Sequence, residues 1–116
     1  MRGEEKRMKL VLSIVQNEDA SKLLEALQKE GFMATKVATS GGFLRSGNTT
    51  LLIGVDEDSV DKVIEIIQAK CKTRKQVISS QVTNSPSTGV YIPYPVEVTI
   101  GGATIFVLNV ERFEKV

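Results

Sequence analysis

This chain of 116 residues contains no histidine and no tryptophan, and its single cysteine is Cys71. The lack of histidine removes the most common general base and the most common metal ligand in proteins. One cysteine can form neither an intrachain disulfide nor a zinc site built from several cysteines. A serine–lysine pair or a metal held by carboxylates alone stays open, although no residue spacing indicates either. We therefore expect no enzymatic activity, no metal and no cofactor, and we interpret Cys71 as a small buried hydrophobic residue.

Charge of one sign and long apolar runs are also missing. Lysine and arginine total 15 against 14 aspartate and glutamate residues, a formal net charge of +1, so a nucleic-acid polymer is not the expected partner. No apolar run approaches the roughly 20 residues that a membrane span requires. The charged residues 1–7 are not followed by the apolar segment of a signal peptide. We expect a cytoplasmic protein with a flexible extension over residues 1–7 and a single domain over residues 8–116.

The apolar residues that are present predict alternating strands and helices. Runs typical of strands cover residues 9–15, 32–38 and 49–55, and two segments with apolar residues at helical spacing cover residues 20–27 and 60–71. Gly31 is placed to end the first helix. The acidic clusters at residues 17–19 and 56–59, which also contain Asn17 and Ser59, are interpreted as the source of the N-caps of the two helices.

An internal repeat predicts the topology. Residues 15–28 align with residues 55–68 without a gap, with apolar residues matching apolar residues and Lys22 matching Lys62. Duplication of a strand and a helix is typical of a ferredoxin-like β-α-β-β-α-β domain of the α+β class. Two helices then cover one face of an antiparallel sheet. The other face must be buried by something else, which predicts an oligomer.

The last third of the chain has weaker patterns. Residues 76–82 alternate enough to predict one more strand, and the polar residues 84–89 are typical of a flexible loop. Gly101-Gly102 lies between two β-prone runs, residues 97–100 and 103–107. Because both central residues of a type I′ turn need positive φ, we expect these two runs to pair as a C-terminal hairpin.

The glycine-rich stretch of residues 39–50 is the main candidate for a ligand site. The backbone N–H groups of Gly42, Phe43 and Leu44 could receive a phosphate, because glycines let amides approach an anion closely. Phe43, Leu44 and Phe106 are candidates for packing against a base, and Asn48 can pair with the N6 and N7 edge of adenine. An ordinary glycine-rich hairpin loop explains the same residues. On the residues alone, Phe106 is more typical of a core strand.

Two long motifs identify a family. Residues 34–50, ATKVATSGGFLRSGNTT, and residues 91–107, YIPYPVEVTIGGATIFV, closely resemble the PII-like cyclic di-AMP receptor family, and with Ile14-Val15-Gln16 the match runs from about Met8 to Phe113. The resemblance implies a homotrimer that binds cyclic di-AMP between subunits and regulates an unknown partner protein through ligand-dependent loop order. It also implies that Thr35 and the backbone of Gly54 contact the base or sugar.

The chain departs from that family at two places. Where relatives carry an asparagine and an arginine, this chain has Gly31 and Met33. A hydrogen bond to a charged group contributes roughly 1.5 to 3 kcal/mol, so we expect affinity for cyclic di-AMP to be lower by about one to two decades than in those relatives. The loop of residues 84–89 also differs. A pocket for another adenine nucleotide, or a module that only binds a protein through this loop, are the alternative interpretations.

Overall fold

The computed structural model describes residues 7–37, 47–83 and 91–116, and for residues 79–83 and 91–94 it describes the backbone alone. The predicted order of elements is confirmed within these ranges. The elements are β1 (Met8–Gln16), α1 (Asn17–Lys29), β2 (Ala34–Val37), β3 (Asn48–Asp56), a 3₁₀ turn (Glu57–Ser59), α2 (Val60–Cys71), β4 (Arg74–Thr83), β5 (Tyr91–Ile100) and β6 (Ala103–Asn109). Three predicted features lie wholly or partly outside the described residues: residues 1–6 of the N-terminal extension, residues 39–46 of the glycine-rich stretch 39–50, and the loop of residues 84–89.

Four strands form an antiparallel sheet in the order β2-β3-β1-β6, and both helices pack on one of its faces. The order and the element sequence are those of a ferredoxin-like α+β fold, so the predicted fold class is confirmed. β4 and β5 pair with each other in a separate two-stranded sheet, inserted between α2 and the last strand of the main sheet. This β4–β5 hairpin is the additional hairpin of the fold.

The core lies between the helices and the sheet, as the 3.6-residue and two-residue periods require. Its fully buried side chains come from every second residue of β1 and β3 and from one stripe of each helix: Val11, Val15, Leu51, Ile53, Val55, Ala20, Leu23, Leu27, Val63, Ile67 and Cys71. Full burial of one Val, Leu or Ile side chain contributes roughly 1.5 to 3 kcal/mol. This one-sided core fixes which face of the sheet remains open.

Gly31 ends α1 as predicted. It has φ +82°, its N–H donates to the carbonyl of Gln28 at 3.0 Å, and the N–H of Phe32 donates to the carbonyl of Leu27 at 2.9 Å. This pair of bonds is the Schellman arrangement, for which glycine is favoured at the left-handed position. Neither described helix, α1 with 13 residues nor α2 with 12, is long and apolar enough to cross a membrane.

The capping interpretation of the acidic clusters is wrong for α1. Its N-cap is Gln16, which makes no side-chain capping bond, and Ser59 at the start of α2 makes none either. Asn17 instead accepts a hydrogen bond from the hydroxyl of Thr49, and Asp19 is fully buried in an ion pair. The side chains of Asn17 and Asp19, which the local pattern assigned to the helix cap, therefore bind residues that are distant in the sequence.

The prediction that Gly101-Gly102 closes a hairpin between two paired strands is also wrong. Both glycines do have positive φ, +85° and +92°, as predicted. However, β5 before them pairs with β4, and β6 after them pairs with β1. The two glycines form a corner that turns the chain from the hairpin into the main sheet. A Cβ on Gly101 would clash with the backbone oxygen of Lys72 and lie 2.6 Å from the guanidinium of Arg74.

Candidate functional site

The face of the main sheet opposite the helices, here called the open face, carries every predicted site residue that the structure describes. Strand register aligns one row across all four strands: Thr35 on β2, Leu52 on β3, Leu12 on β1 and Phe106 on β6. Thr35 is exposed, and Phe106 is 52% exposed. The prediction left open whether Phe106 is a core residue, and the structure shows that it does not belong to the core between helices and sheet.

Gly54 and Asn48 lie on the same face as this row, because they are two and four residues from Leu52 along β3. Gly54 is exposed and aligned with Leu10, and Asn48 is half-buried and aligned with Gln16. Lys36 alternates to the helix side of β2. Lys36 therefore does not contribute a cation to the open face.

The described site residues of one chain are too far apart to enclose a ligand together. Three strand spacings separate Thr35 from Phe106, which is roughly 14 Å, and the six residues from Asn48 to Gly54 span roughly 20 Å along β3. The sequence prediction treated these residues as one site. In a single chain Gly54 and Asn48 lie at opposite ends of the open face, each with its own group of neighbours, and Thr35 and Phe106 lie in the row between them.

The first group lines a groove of about 440 Å³, here called the Gly54 groove. Its apolar lining comes from Met8, Phe32, Met33 and Phe113, and Gly31 and Gly54 leave space for a flat group. Met33 is 80% exposed. Gly31 and Met33, the two positions at which the sequence is expected to differ from the family pattern, therefore lie beside the predicted contact Gly54.

The second group lines a cleft of about 250 Å³, here called the Asn48 cleft. It contains the carboxamides of Asn48 and Gln16, the backbone of Gly101 and Gly102, and the hydroxyl of Thr104. Amide and hydroxyl groups can both donate and accept hydrogen bonds, which suits recognition of a heterocyclic edge. The Asn48 cleft is therefore polar, whereas the Gly54 groove is mainly apolar.

The end of β3 that carries Asn48 is tied to the start of α1. The N–H of Asn17 donates to the carbonyl of Gly47 at 2.8 Å, and the hydroxyl of Thr49 donates to Oδ1 of Asn17. Asn48 lies between these two contacts. Its backbone is therefore held by residues outside its own strand.

Gln16 is a residue of this cleft that the sequence prediction missed. Its Oε1 accepts a hydrogen bond of 2.7 Å from the N–H of Gly101, 85 residues away. The sequence signal was its membership in the Ile14-Val15-Gln16 motif, which marks a family position without assigning a role. The corner glycines were likewise interpreted as a turn only.

An ion pair lies next to this corner, at the base of the β4–β5 hairpin. The guanidinium of Arg74 donates to both carboxylate oxygens of Asp19, at 2.7 and 3.3 Å, and to the carbonyl of Lys72 at 3.1 Å. Asp19 is fully buried, and the Arg74 side chain is 33% exposed. The hydrogen bonds that Arg74 donates to the Asp19 carboxylate raise the pKa of Arg74 above its usual value. This pair fixes the first residue of β4 against α1.

The described lining of the two cavities contains one charged residue, Asp56 in the Gly54 groove, and it is acidic. Neither the Gly54 groove nor the Asn48 cleft is lined by a lysine or arginine from the described part of the chain. Within that same part, no three His, Cys, Asp or Glu side chains gather as a metal site would require. The predicted phosphate donors Gly42, Phe43 and Leu44 lie outside the described residues, so the structure does not test them.

Comparisons with known proteins agree with this fold. A family model described as the cyclic-di-AMP receptor matches residues 8–116. A crystal structure of a functionally unknown protein from Pediococcus pentosaceus is similar at 39% identity and a TM-score of 0.75, over 97% of this chain and 100% of that one.

Two further structures are similar at lower identity. They are Arabidopsis thaliana PII bound to citrate, with 22% identity, a TM-score of 0.52 and coverage of 91% of this chain and 77% of that one, and B. subtilis GlnK, with 20% identity, a TM-score of 0.50 and coverage of 90% and 86%. At these identities the likeness shows the PII-like fold alone.

Proposed function

Because the chain belongs to the cyclic-di-AMP receptor family, we propose that it is a signalling receptor that binds cyclic di-AMP on the open face of its sheet, between subunits of a homotrimer. The observation that carries this proposal is the position of Thr35, Asn48, Gly54 and Phe106. All four were singled out from the sequence, and all four lie on the face that the helices leave uncovered.

The spacing of these residues supports a site between subunits. Side chains separated by roughly 14 to 20 Å on a flat sheet cannot surround a ligand from one side. A second subunit packed against the open face would close both the Gly54 groove and the Asn48 cleft. The face is suited to such packing, because Leu12 and Leu52 are half-buried and Phe106 and Leu108 are exposed.

The two cavities also fit the chemistry of the ligand. Cyclic di-AMP carries two adenines on one phosphodiester ring, so it needs two places for a base and donors for two phosphates. The apolar Gly54 groove offers a surface for one base, and the carboxamides of the Asn48 cleft offer donors and acceptors for another. The backbone N–H groups of Gly42, Phe43 and Leu44 are the proposed phosphate donors, since no described cation lines either cavity.

The receptor signals through a partner in this proposal. Ligand binding orders the loops of the trimer and thereby changes which cytoplasmic protein the trimer holds, because a ligand shifts a conformational equilibrium only through different contacts in the two states. We propose that the receptor has no catalytic activity of its own. The partner, the cytoplasmic location and the extent of the domain over residues 8–116 belong to the proposal.

The proposal is tested by calorimetric titration with cyclic di-AMP, with ATP and cyclic di-GMP as controls. We expect about one ligand per subunit and weak binding of both controls. Asn48→Ala removes hydrogen bonds to the base and should weaken binding roughly three- to tenfold. The matched control is Gln28→Ala, an exposed carboxamide on α1. No binding of cyclic di-AMP, or equal effects of the two variants, would contradict the proposal.

A second candidate function has one specific observation in its favour. Met33 lines the Gly54 groove at the position where the family resemblance implies an arginine, so in this proposal the groove is less suited to a dianion than one with a cation there. The chain would then bind a different adenine nucleotide.

Met33→Arg distinguishes the two functions. If cyclic di-AMP is bound in the Gly54 groove, the added guanidinium should tighten its binding by roughly ten- to a hundredfold. Isothermal titration of wild type and variant measures the change, and Met33→Gln serves as an uncharged control of similar length. Unchanged affinity for cyclic di-AMP, together with tight binding of ATP by the wild type, would favour the second candidate.

A further inference from the structure

The base of the β4–β5 hairpin is held to the rest of the protein at three points. Arg74 pairs with Asp19, the N–H of Gly102 donates to the carbonyl of Cys71, and the N–H of Gly101 donates to Oε1 of Gln16 at 2.7 Å. In the described part of the chain the hairpin strands pair only with each other. These three contacts therefore fix where the hairpin leaves the main sheet.

Two of the three contacts border the Asn48 cleft, those made by Gly101 and Gly102, and only the contact to Gly101 is made by a side chain that lines this cleft, that of Gln16. Gln16 is the cross-strand partner of Asn48 in the β1–β3 register, and both side chains line the Asn48 cleft together with Gly101. Cross-strand partners on one face have Cβ atoms about 5 Å apart and interact directly. A group bound to Asn48 in this cleft of about 250 Å³ therefore lies beside the carboxamide that holds Gly101.

We propose that Gln16 is a positioning residue that couples the Asn48 cleft to the β4–β5 hairpin. This inference rests on the proposed function, because the group that occupies the cleft is an adenine of the ligand. The Gln16 carboxamide accepts a hydrogen bond from Gly101 through its oxygen. Because a carboxamide is planar, this bond also fixes the direction in which its NH₂ group can donate. When the cleft is occupied, contacts to this carboxamide change the strength of its bond to Gly101.

The backbone conformation of the Gly101-Gly102 corner makes the hydrogen bond between Gly101 and Gln16 important for holding the corner in place. Gly101 and Gly102 both have positive φ, and no space exists for a Cβ at Gly101. The corner therefore has one well-defined conformation while its three contacts persist. Since Gln16 makes no side-chain capping bond to α1, its substitution removes the contact to Gly101 without removing a helix cap.

The first test uses the ligand-free protein and amide hydrogen exchange of Gly101 measured by NMR. Gln16→Ala should speed this exchange about two- to tenfold, whereas Gln16→Glu, which keeps an acceptor, should stay close to wild type. Asn48→Ala should also change Gly101 exchange, and should add nothing in the Gln16→Ala background. Gln28→Ala, on the exposed side of α1, is the control.

The second test adds cyclic di-AMP. The wild type should show a change in Gly101 exchange on binding, and Gln16→Ala should bind the ligand without this change. A purely structural role for Gln16 would alter Gly101 exchange in the variant but leave it insensitive to both Asn48→Ala and ligand, and that result would overturn the coupling. If cyclic di-AMP does not bind the wild type, the receptor proposal fails, and the comparison of Asn48→Ala with the double variant still decides the coupling.

Discussion

Cys71 shows how far burial changes the chemistry of one residue. Its side chain is 1% exposed at the end of α2, and burial, with a smaller contribution from the Asp19 carboxylate, raises the pKa of the thiol to about 11; Arg74 acts in the opposite direction. Because the thiolate is the reactive form, this cysteine is inert near neutral pH while the protein is folded. It is a packing residue, as the sequence predicted.

The raised pKa predicts a loss of stability in alkali. The unfolded thiol ionises near pH 9.0 and the folded one near pH 11, so between these values the unfolded state holds fewer protons and stability falls as pH rises. The slope contributed by Cys71 is at most about 1.4 kcal/mol per pH unit. Urea denaturation of wild type and Cys71→Ala from pH 8 to 11 measures it. Parallel pH dependence of the two proteins would show that the thiol does not contribute.

At the scale of elements, the ion pair between Arg74 and Asp19 joins β4 to α1 across 55 residues of sequence. Its two members are not equivalent, because Asp19 is fully buried and Arg74 keeps a third of its side chain in solvent. Loss of the arginine leaves a buried carboxylate without its cation, whereas loss of the carboxylate leaves a cation that water can reach.

We therefore expect Arg74→Ala to lower the Tm by roughly 5 °C or more, and by more than Asp19→Asn does. The double variant should be less destabilised than the sum of the two single variants. Lys75→Ala is the matched control, because Lys75 pairs with Glu97 in an exposed ion pair of 3.4 Å and such pairs contribute little. Thermal unfolding of the four variants provides the data. Equal losses for Arg74→Ala and Lys75→Ala would contradict this view of the hairpin base.

At the scale of the whole molecule, the described part of the chain covers the main sheet on one face only. The helices bury Val11, Ile53 and their neighbours on one side, while Phe106 and Leu108 remain 52% and 44% exposed on the other. An apolar strip of this kind across a four-stranded sheet is typical of a subunit interface. The open face is also where the proposed ligand residues lie, so in the proposed receptor assembly and ligand binding would depend on the same surface.

Phe106→Asp should convert the proposed trimer into smaller species, because it puts a charge into a buried interface. Light scattering with size-exclusion chromatography measures the mass. The adjacent Val107 is 44% exposed on the helix side of the same strand, so Val107→Asp is a matched control that should leave the mass unchanged. A trimer that survives Phe106→Asp, or is lost equally in both variants, would exclude the open face as the interface.

The sequence by itself determined what depends on local pattern. The two periods of hydrophobic residues predicted each strand and helix of the main fold, and the position of Gly31 predicted the end of α1. The strand predicted at residues 49–55 includes Gly54, whereas Asn48 was assigned to the loop before it and is the first residue of β3 in the structure. Such features depend on backbone geometry over a few neighbouring residues. The sequence of one short segment is therefore enough to predict them.

Only the tertiary structure decided the pairings between distant segments. Gly101 and Gly102 have the positive φ that the turn pattern predicts. The strands on either side of them do not pair with each other, because β6 pairs with β1 and β5 pairs with β4. Asp19 and Gln16 were assigned to the start of a helix or to a motif, and their actual partners, Arg74 and Gly101, are 55 and 85 residues away. A local pattern specifies a conformation and a polar group. Which distant strand or side chain satisfies it depends on the competition among all of them once the core has formed.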